Sequence, residues 1–176
     1  MTRVVAALVV GLLTTASLAA EPDFTALGVD RYDPPKPAPA FALPDLDGKT
    51  VRLQELRGKV VLVGFWATWC PPCQEEAPSL NRLYSDLHGR GLEVLLISFR
   101  EDPDLVRRTA RAWGYLPPVL IDRSGDVTGR QFGVWGPPTA FFVDRRGQLV
   151  GRVLGPRNWD SPAARAFVEA LLDAKP

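Results

Sequence analysis

Apolar residues follow two different periods along this chain. Val60–Trp66 and Leu92–Phe99 are short, nearly unbroken apolar runs rich in β-branched and aromatic residues. Runs of that length and content predict strands buried on both faces. Between them Leu80, Leu83, Tyr84 and Leu87 recur at helical spacing, which predicts a helix over 71–88 that stops at Gly89 and kinks at Pro78. A second helix is predicted over 103–113, with Leu105, Val106, Ala110 and Trp113 on one side. A short strand at 119–121 and a short helix at about 125–132 follow. Residues 139–143 and 149–154 read as two strands, with Asp144, Arg145, Arg146 and Gly147 as the turn between them. The last helix runs from about Ser161 to Ala174, where Ser161 suits the cap, Pro162 the first position, and Ala164, Phe167, Val168 and Leu171 the apolar stripe.

The front of the chain is patterned differently. Residues 21–32 show no clear period, and Pro34, Pro35, Pro37 and Pro39 favour an extended, semi-rigid lead-in. Residues 40–53 read as a small hairpin, with Phe41 and Leu43 on one arm, Val51 and Leu53 on the other, and a turn containing Asp47-Gly48. The order is therefore β-α-β, then α-β-β-α, behind an added N-terminal β-hairpin. It predicts an α/β fold, a central mixed β-sheet flanked by helices.

The first residues carry a different message. Arg3 precedes an apolar run from Val4 to Leu13, and small residues follow at Ser17, Ala19 and Ala20. This is the pattern of an export signal cleaved after Ala19; the alternative is an uncleaved membrane anchor. Either arrangement puts the domain outside the cytoplasm, in the periplasm or cell envelope. The expected organisation is a signal peptide over 1–19, a proline-rich lead-in over 20–37 and one domain over 38–176.

Composition narrows the class. The 176 residues are 46% hydrophobic and 23% charged, with a formal net charge of +1, and Arg3 is the one basic residue of the leader. A surface so balanced lacks the concentrated basic face that nucleic acid requires. It also gives no electrostatic reason to adhere to anionic lipid. A monomer is the expected state.

There are two cysteines, Cys70 and Cys73. A structural disulfide stabilises most when it closes a long loop, so a bridge over two intervening residues would add little. The spacing points to chemistry. Cys70 falls where a buried strand ends and a helix begins, and there the free N–H groups and the helix dipole favour an anion. Its thiol should therefore ionise more easily than a free one, which speeds attack on a partner disulfide. Pro71 and Pro72 occupy early helical positions that tolerate a missing N–H. Trp69 shields the nucleophile and offers an apolar contact. Cys73 lies one turn on, placed to attack the mixed disulfide and release the partner. Zinc would need about four ligands, and no other cysteine exists. No metal and no cofactor are expected beyond the redox-active Cys70–Cys73 disulfide.

The segment Trp69-Cys70-Pro71-Pro72-Cys73, the flanking Phe65-Trp66-Ala67 and the distant Pro138-Thr139 resemble the thioredoxin superfamily, and more narrowly its exported TlpA/ResA/CcmG branch. The similarity covers about residues 38–174, and Gly133-Val134-Trp135-Gly136-Pro137-Pro138-Thr139 supports it. The resemblance implies a thioredoxin-like fold. It implies reduction of disulfides in exported proteins, of the cytochrome c maturation or copper-site assembly type, with a membrane thiol-electron transporter as reductant. It implies a cis bond before Pro138, beside the sulfurs, where backbone polar groups meet an incoming peptide. Pro137 departs from the pattern by removing an N–H, and Gly136 would permit close approach of a substrate chain. Trp69, Pro72, Gly136, Pro137 and Pro138 are thus the candidate substrate-binding residues.

Glu76 stands three residues after Cys73 on one helical face. Near the sulfurs its carboxylate would accept the Cys73 proton, and partial burial would raise its pKa toward the working range. The resemblance implies the same, since ordinary thioredoxins carry their acid on the preceding strand, at the position of Gly64. Three other readings stand beside these. Two thiolates could hold Cu(I), as a copper chaperone does, although copper-assembly relatives use a wider cysteine spacing and a downstream histidine. A peroxidase would need a threonine–proline cradle, of which only Thr68 is present. His88, the sole histidine, sits at a helix end where a polar or positive residue is favoured. Trp113 is read as a packing residue, and Trp159 as part of a loop that docks the last helix, with partner contact as the lesser alternative.

Overall fold

The computed structural model describes residues 21–174. The expected signal at 1–19 lies outside the described residues. The elements in chain order are α1 (Phe24–Leu27), β1 (Asp30–Pro37), β2 (Ala42–Pro44), β3 (Thr50–Arg52), β4 (Val60–Trp66) and α2 (Pro71–Leu87). They continue with β5 (Leu92–Phe99), α3 (Pro103–Ala112), β6 (Val119–Asp122), β7 (Thr139–Val143), β8 (Gln148–Leu154) and α4 (Pro162–Asp173).

Six strands form one mixed sheet in the order β1-β8-β7-β4-β5-β6. β4 and β5 run parallel from Val60 opposite Leu92 to Trp66 opposite Ser98. β6 continues the parallel side, and β7 returns antiparallel along β4, with Thr139 opposite Phe65. This order makes β4 a central strand, so both its faces are covered. Val60 and Leu62 join one apolar cluster with Leu83 and Leu87 of α2, Val106 of α3, and Phe167 and Val168 of α4. Val61, Val63 and Phe65 join a second cluster with Phe41, Leu53, Val127, Phe132 and Phe141. The alternation follows from the two-residue period of a strand. It explains why the sequence there shows no polar side.

The two faces are covered by different means. All four regular helices pack into the first cluster. The second face lies under the β2–β3 pair and a wide helical turn at Asp126–Gln131. Buried Asp122 holds that turn: its carboxylate accepts from the backbone N–H of Thr128 at 2.7 Å, the Thr128 hydroxyl at 2.8 Å and the Gly125 N–H at 3.0 Å.

Of the stretch 20–37, expected as a lead-in, Asp30–Pro37 forms a strand of the sheet. β1 pairs antiparallel with β8, with Asp30 opposite Arg152 and Pro37 opposite Gln148. The prolines are tolerated because β1 is an edge strand, where a missing N–H on the outer side breaks no ladder. Ahead of it, Asp23 caps α1 by accepting from Thr25 and Ala26, and α1 packs on α4 through Phe24 and Phe167, ring centroids 5.1 Å apart. The helix predicted to 88 ends at Leu87 and is finished by a tight turn over His88–Arg90. Gly91, at φ 103°, is the residue that stops it rather than Gly89. Among the described residues no helix is long and apolar enough to cross a membrane.

Candidate functional site

The site is built where β4 gives way to α2. Ala67 closes a turn by accepting from the N–H of Cys70 at 3.1 Å, and Cys70 then caps α2, its sulfur accepting from the Cys73 N–H at 3.3 Å. A sulfur at the cap of a 17-residue helix sits where the dipole stabilises negative charge. Pro71 and Pro72 fill the first turn and cost no hydrogen bond there. Cys70 and Cys73 are joined by a disulfide, with Cα atoms 5.3 Å apart. Both cysteines are buried, Cys70 with 3% of its surface exposed and Cys73 with 1%, and it is Cys73 that lines the cavity behind the pair. Trp69, immediately before Cys70, is 66% exposed.

Behind Cys73 lies a cavity of about 30 Å³, lined among others by Gly64, Glu76, Tyr115, Pro138, Thr139 and Trp159. Glu76 is 9% exposed. Its Oε1 accepts from the backbone N–H of Arg157 at 2.7 Å and from the indole N–H of Trp159 at 2.9 Å. Burial pushes the Glu76 carboxyl up to about 7, against the pull of these two donors and of the Arg157 charge. Because both donors converge on Oε1, Oε2 is the oxygen left to carry the proton. The Tyr115 hydroxyl donates to the Cys73 carbonyl at 3.2 Å, and burial raises its pKa well above the ordinary phenol value. Glu75, one residue away on the helix, is exposed.

The facing wall comes from the loop before β7. The Pro137–Pro138 peptide is cis. The Pro138 carbonyl accepts from Gly155 at 3.0 Å, and the Thr139 hydroxyl donates to the Gly136 carbonyl at 2.8 Å. Pro137 offers a carbonyl and no N–H. Trp135, two residues upstream of Pro137, is 99% exposed. Trp69 and Trp135 thus stand on the two segments that border the disulfide.

The structure brings Cys70, Cys73, Glu76 and Pro138 to one place, with Pro72, Trp69, Gly136 and Pro137 on the adjoining segments. It leaves His88 at the far end of α2, its Nδ1 3.2 Å from the Leu92 carbonyl. The Thr68 hydroxyl, the one element of a peroxidase cradle in the sequence, donates to Glu101. Sequence reasoning missed Glu101, Tyr115 and Trp135, and it read Trp159 as part of a loop that docks the last helix, without a link to Glu76. Trp159 is buried, and its N–H is a Glu76 partner. Only Trp135 carried a signal, as a large apolar residue inside the Gly133–Thr139 segment.

Known proteins share these features. Residues 34–152 match the AhpC/TSA family. Thiol-disulfide oxidoreductase ResA of Geobacillus thermodenitrificans is 41% identical over 90 residues, which are 51% of this chain and 52% of the relative. ResA of Bacillus anthracis is 37% identical over 94 residues, 53% and 54% of the two chains. The chain spans about half the length of these curated relatives. Among solved structures, a thiol:disulfide interchange protein of the thioredoxin family from Chlorobium tepidum is similar with a TM-score of 0.67 and 32% identity. The match covers 78% of this chain and 97% of that one.

Proposed function

Because the chain belongs to the AhpC/TSA family of thioredoxin-like proteins, we propose that it is a thiol-disulfide oxidoreductase that reduces disulfides of exported proteins in the cell envelope. The observation that carries this reading is one arrangement: a disulfide at the cap of α2 whose inner sulfur backs onto a cavity shared with a buried carboxyl. The leader-like residues 1–19 support the location.

In the reduced protein the Cys70 thiolate attacks one sulfur of the substrate disulfide. A Cys70–substrate disulfide forms, the substrate S–S bond breaks, and the departing thiolate takes a proton from water. The Glu76 carboxylate then accepts the Cys73 proton, and the Cys73 thiolate attacks the Cys70 sulfur. The Cys70–Cys73 bond forms and the second substrate thiolate leaves. Two electrons have passed from the pair to the substrate. A dithiol donor, of which a membrane thiol-electron transporter is the expected source, returns the pair to its reduced form by the same exchange in reverse.

An insulin-reduction assay with dithiothreitol as donor tests the order of events. Cys70→Ser is expected to abolish turnover. Cys73→Ala is expected to stop after one step and to accumulate a mixed disulfide on Cys70, visible by mass spectrometry. Full turnover by Cys73→Ala would overturn the two-step scheme. Tight Cu(I) binding with no thiol exchange would replace it with a copper-handling role.

A further inference from the structure

The turn that delivers Cys70 is held by a residue from another strand. Thr68 and Trp69 are the two central residues of the turn closed between Ala67 and Cys70. The Thr68 N–H donates to both carboxylate oxygens of Glu101, at 3.0 and 3.1 Å, and the Thr68 hydroxyl donates to Oε1 at 2.5 Å. Glu101 reaches this point because β4 and β5 lie side by side and end together, with Trp66 opposite Ser98. Beyond β5, Arg100 turns the chain at φ 56°, tied to β6 by its N–H on the Asp122 carbonyl at 3.0 Å and to the loop after β6 by its Nε on the Ser124 carbonyl at 3.2 Å. Glu101 is half-buried, and among the described residues no Lys, Arg or His nitrogen lies within salt-bridge distance of it. Its only hydrogen-bond partner there is Thr68, two residues before the nucleophile.

We propose that Glu101 is a positioning residue of the exchange site: through Thr68 it fixes the turn that carries Trp69 and Cys70, and its charge raises the energy of the Cys70 thiolate. The inference rests on the thiol-exchange reading. Among the described residues, the ionisable groups lining the cavity behind Cys73 are Glu76 and Tyr115, with Arg157 beyond Glu76. Glu101 approaches from the opposite side, through the strand-to-helix turn. A like charge there disfavours the anion. It also satisfies the Thr68 N–H in the turn that leads into the helix. Destabilising the thiolate destabilises the dithiol form, and that makes the pair a stronger reductant. Glu101 thereby offsets the helix dipole, which acts in the opposite sense.

Glu101→Gln separates charge from geometry, because the amide oxygen still accepts from Thr68. Wild type and variant are equilibrated with glutathione redox buffers. The variant is expected to favour the dithiol about threefold or more, a change to be read at low salt where screening is weakest. Its Cys70 absorbance titration is expected to move to lower pH. Glu101→Ala loses the anchor as well, so its kcat/KM for insulin is expected to fall about tenfold below that of Glu101→Gln. If Glu101→Gln leaves both the glutathione equilibrium and the titration unchanged, the charge role is overturned. If Glu101→Ala and Glu101→Gln reduce insulin equally well, the anchoring role is. A wild-type pair that fails to exchange with glutathione at all would instead sink the thiol-exchange reading itself.

Discussion

Glu76 is the residue whose environment most changes its chemistry. Its carboxyl titrates near 7 in the folded protein, against 4.5 for the ordinary group, chiefly because burial penalises the anion. Between those two values the native state holds a proton that the unfolded chain has released, so stability must fall as pH rises through that window. The loss is at most about 3–4 kcal/mol, the full shift converted at 1.36 kcal/mol per unit. Glu76→Gln keeps an oxygen for the Arg157 and Trp159 donors and abolishes the titration. Urea unfolding of the oxidised protein at pH 5 and pH 8 is expected to show the wild type losing stability between them and the variant staying flat by comparison. The exchange rate of the wild type is expected to rise through an inflection near pH 7 that the variant lacks. An inflection that survives in Glu76→Gln would assign it to another group. Glu76 was legible in the sequence because three-residue spacing from Cys73 is a local, helical relation. Glu101 and Tyr115 reach the site from the β5–α3 and α3–β6 connections, and no spacing rule links residues separated by 33 and 42 positions.

At the scale of elements, the strongly periodic segments were read to within a residue or two. β4 runs Val60–Trp66 and β5 Leu92–Phe99, as their apolar runs predict. Ser161 caps α4 by accepting from the Ala164 N–H at 3.2 Å, with Pro162 in the first turn. β1 was hidden because its three prolines mask the alternation that marks a strand, and its partner lies more than a hundred residues away. The β1–β8 junction rests on a close approach at Gly151. A Cβ there would stand 2.5 Å from Val29 Cγ1 and 3.1 Å from the Asp30 carbonyl oxygen. The backbone of β1 cannot yield without breaking its register. Gly151→Ala is therefore expected to destabilise the fold by about 1–3 kcal/mol, seen as a lower urea midpoint. Gly89→Ala, where a Cβ meets nothing within 4 Å, is the control and is expected to stay within about 0.5 kcal/mol.

At the scale of the molecule, large apolar side chains among the described residues are buried in two clusters, and the exceptions are few. Trp69 and Trp135 are two of them, and both belong to the segments that border the disulfide. Indoles left in water on either side of a reactive bond are suited to grip a polypeptide rather than a small thiol. Trp135→Ala is expected to lower kcat/KM for insulin about tenfold while leaving the glutathione equilibrium unchanged, a split read from the two assays on one preparation. Equal losses with protein and small-molecule substrates would mean that Trp135 supports the site rather than the partner.

The sheet also has two lateral boundaries, and each is guarded. On one side β1 presents Pro34, Pro35 and Pro37, which have no N–H to offer a newcomer. On the other, the β2–β3 pair folds over β6, with Asp45 bridged to Leu120. On the proposed reading, a protein that holds half-unfolded chains close would be exposed to fusing with them strand by strand. A visiting chain would then meet sulfur and tryptophan at the mouth of the site and find little purchase along the flanks, so that contact would end when the bond is exchanged.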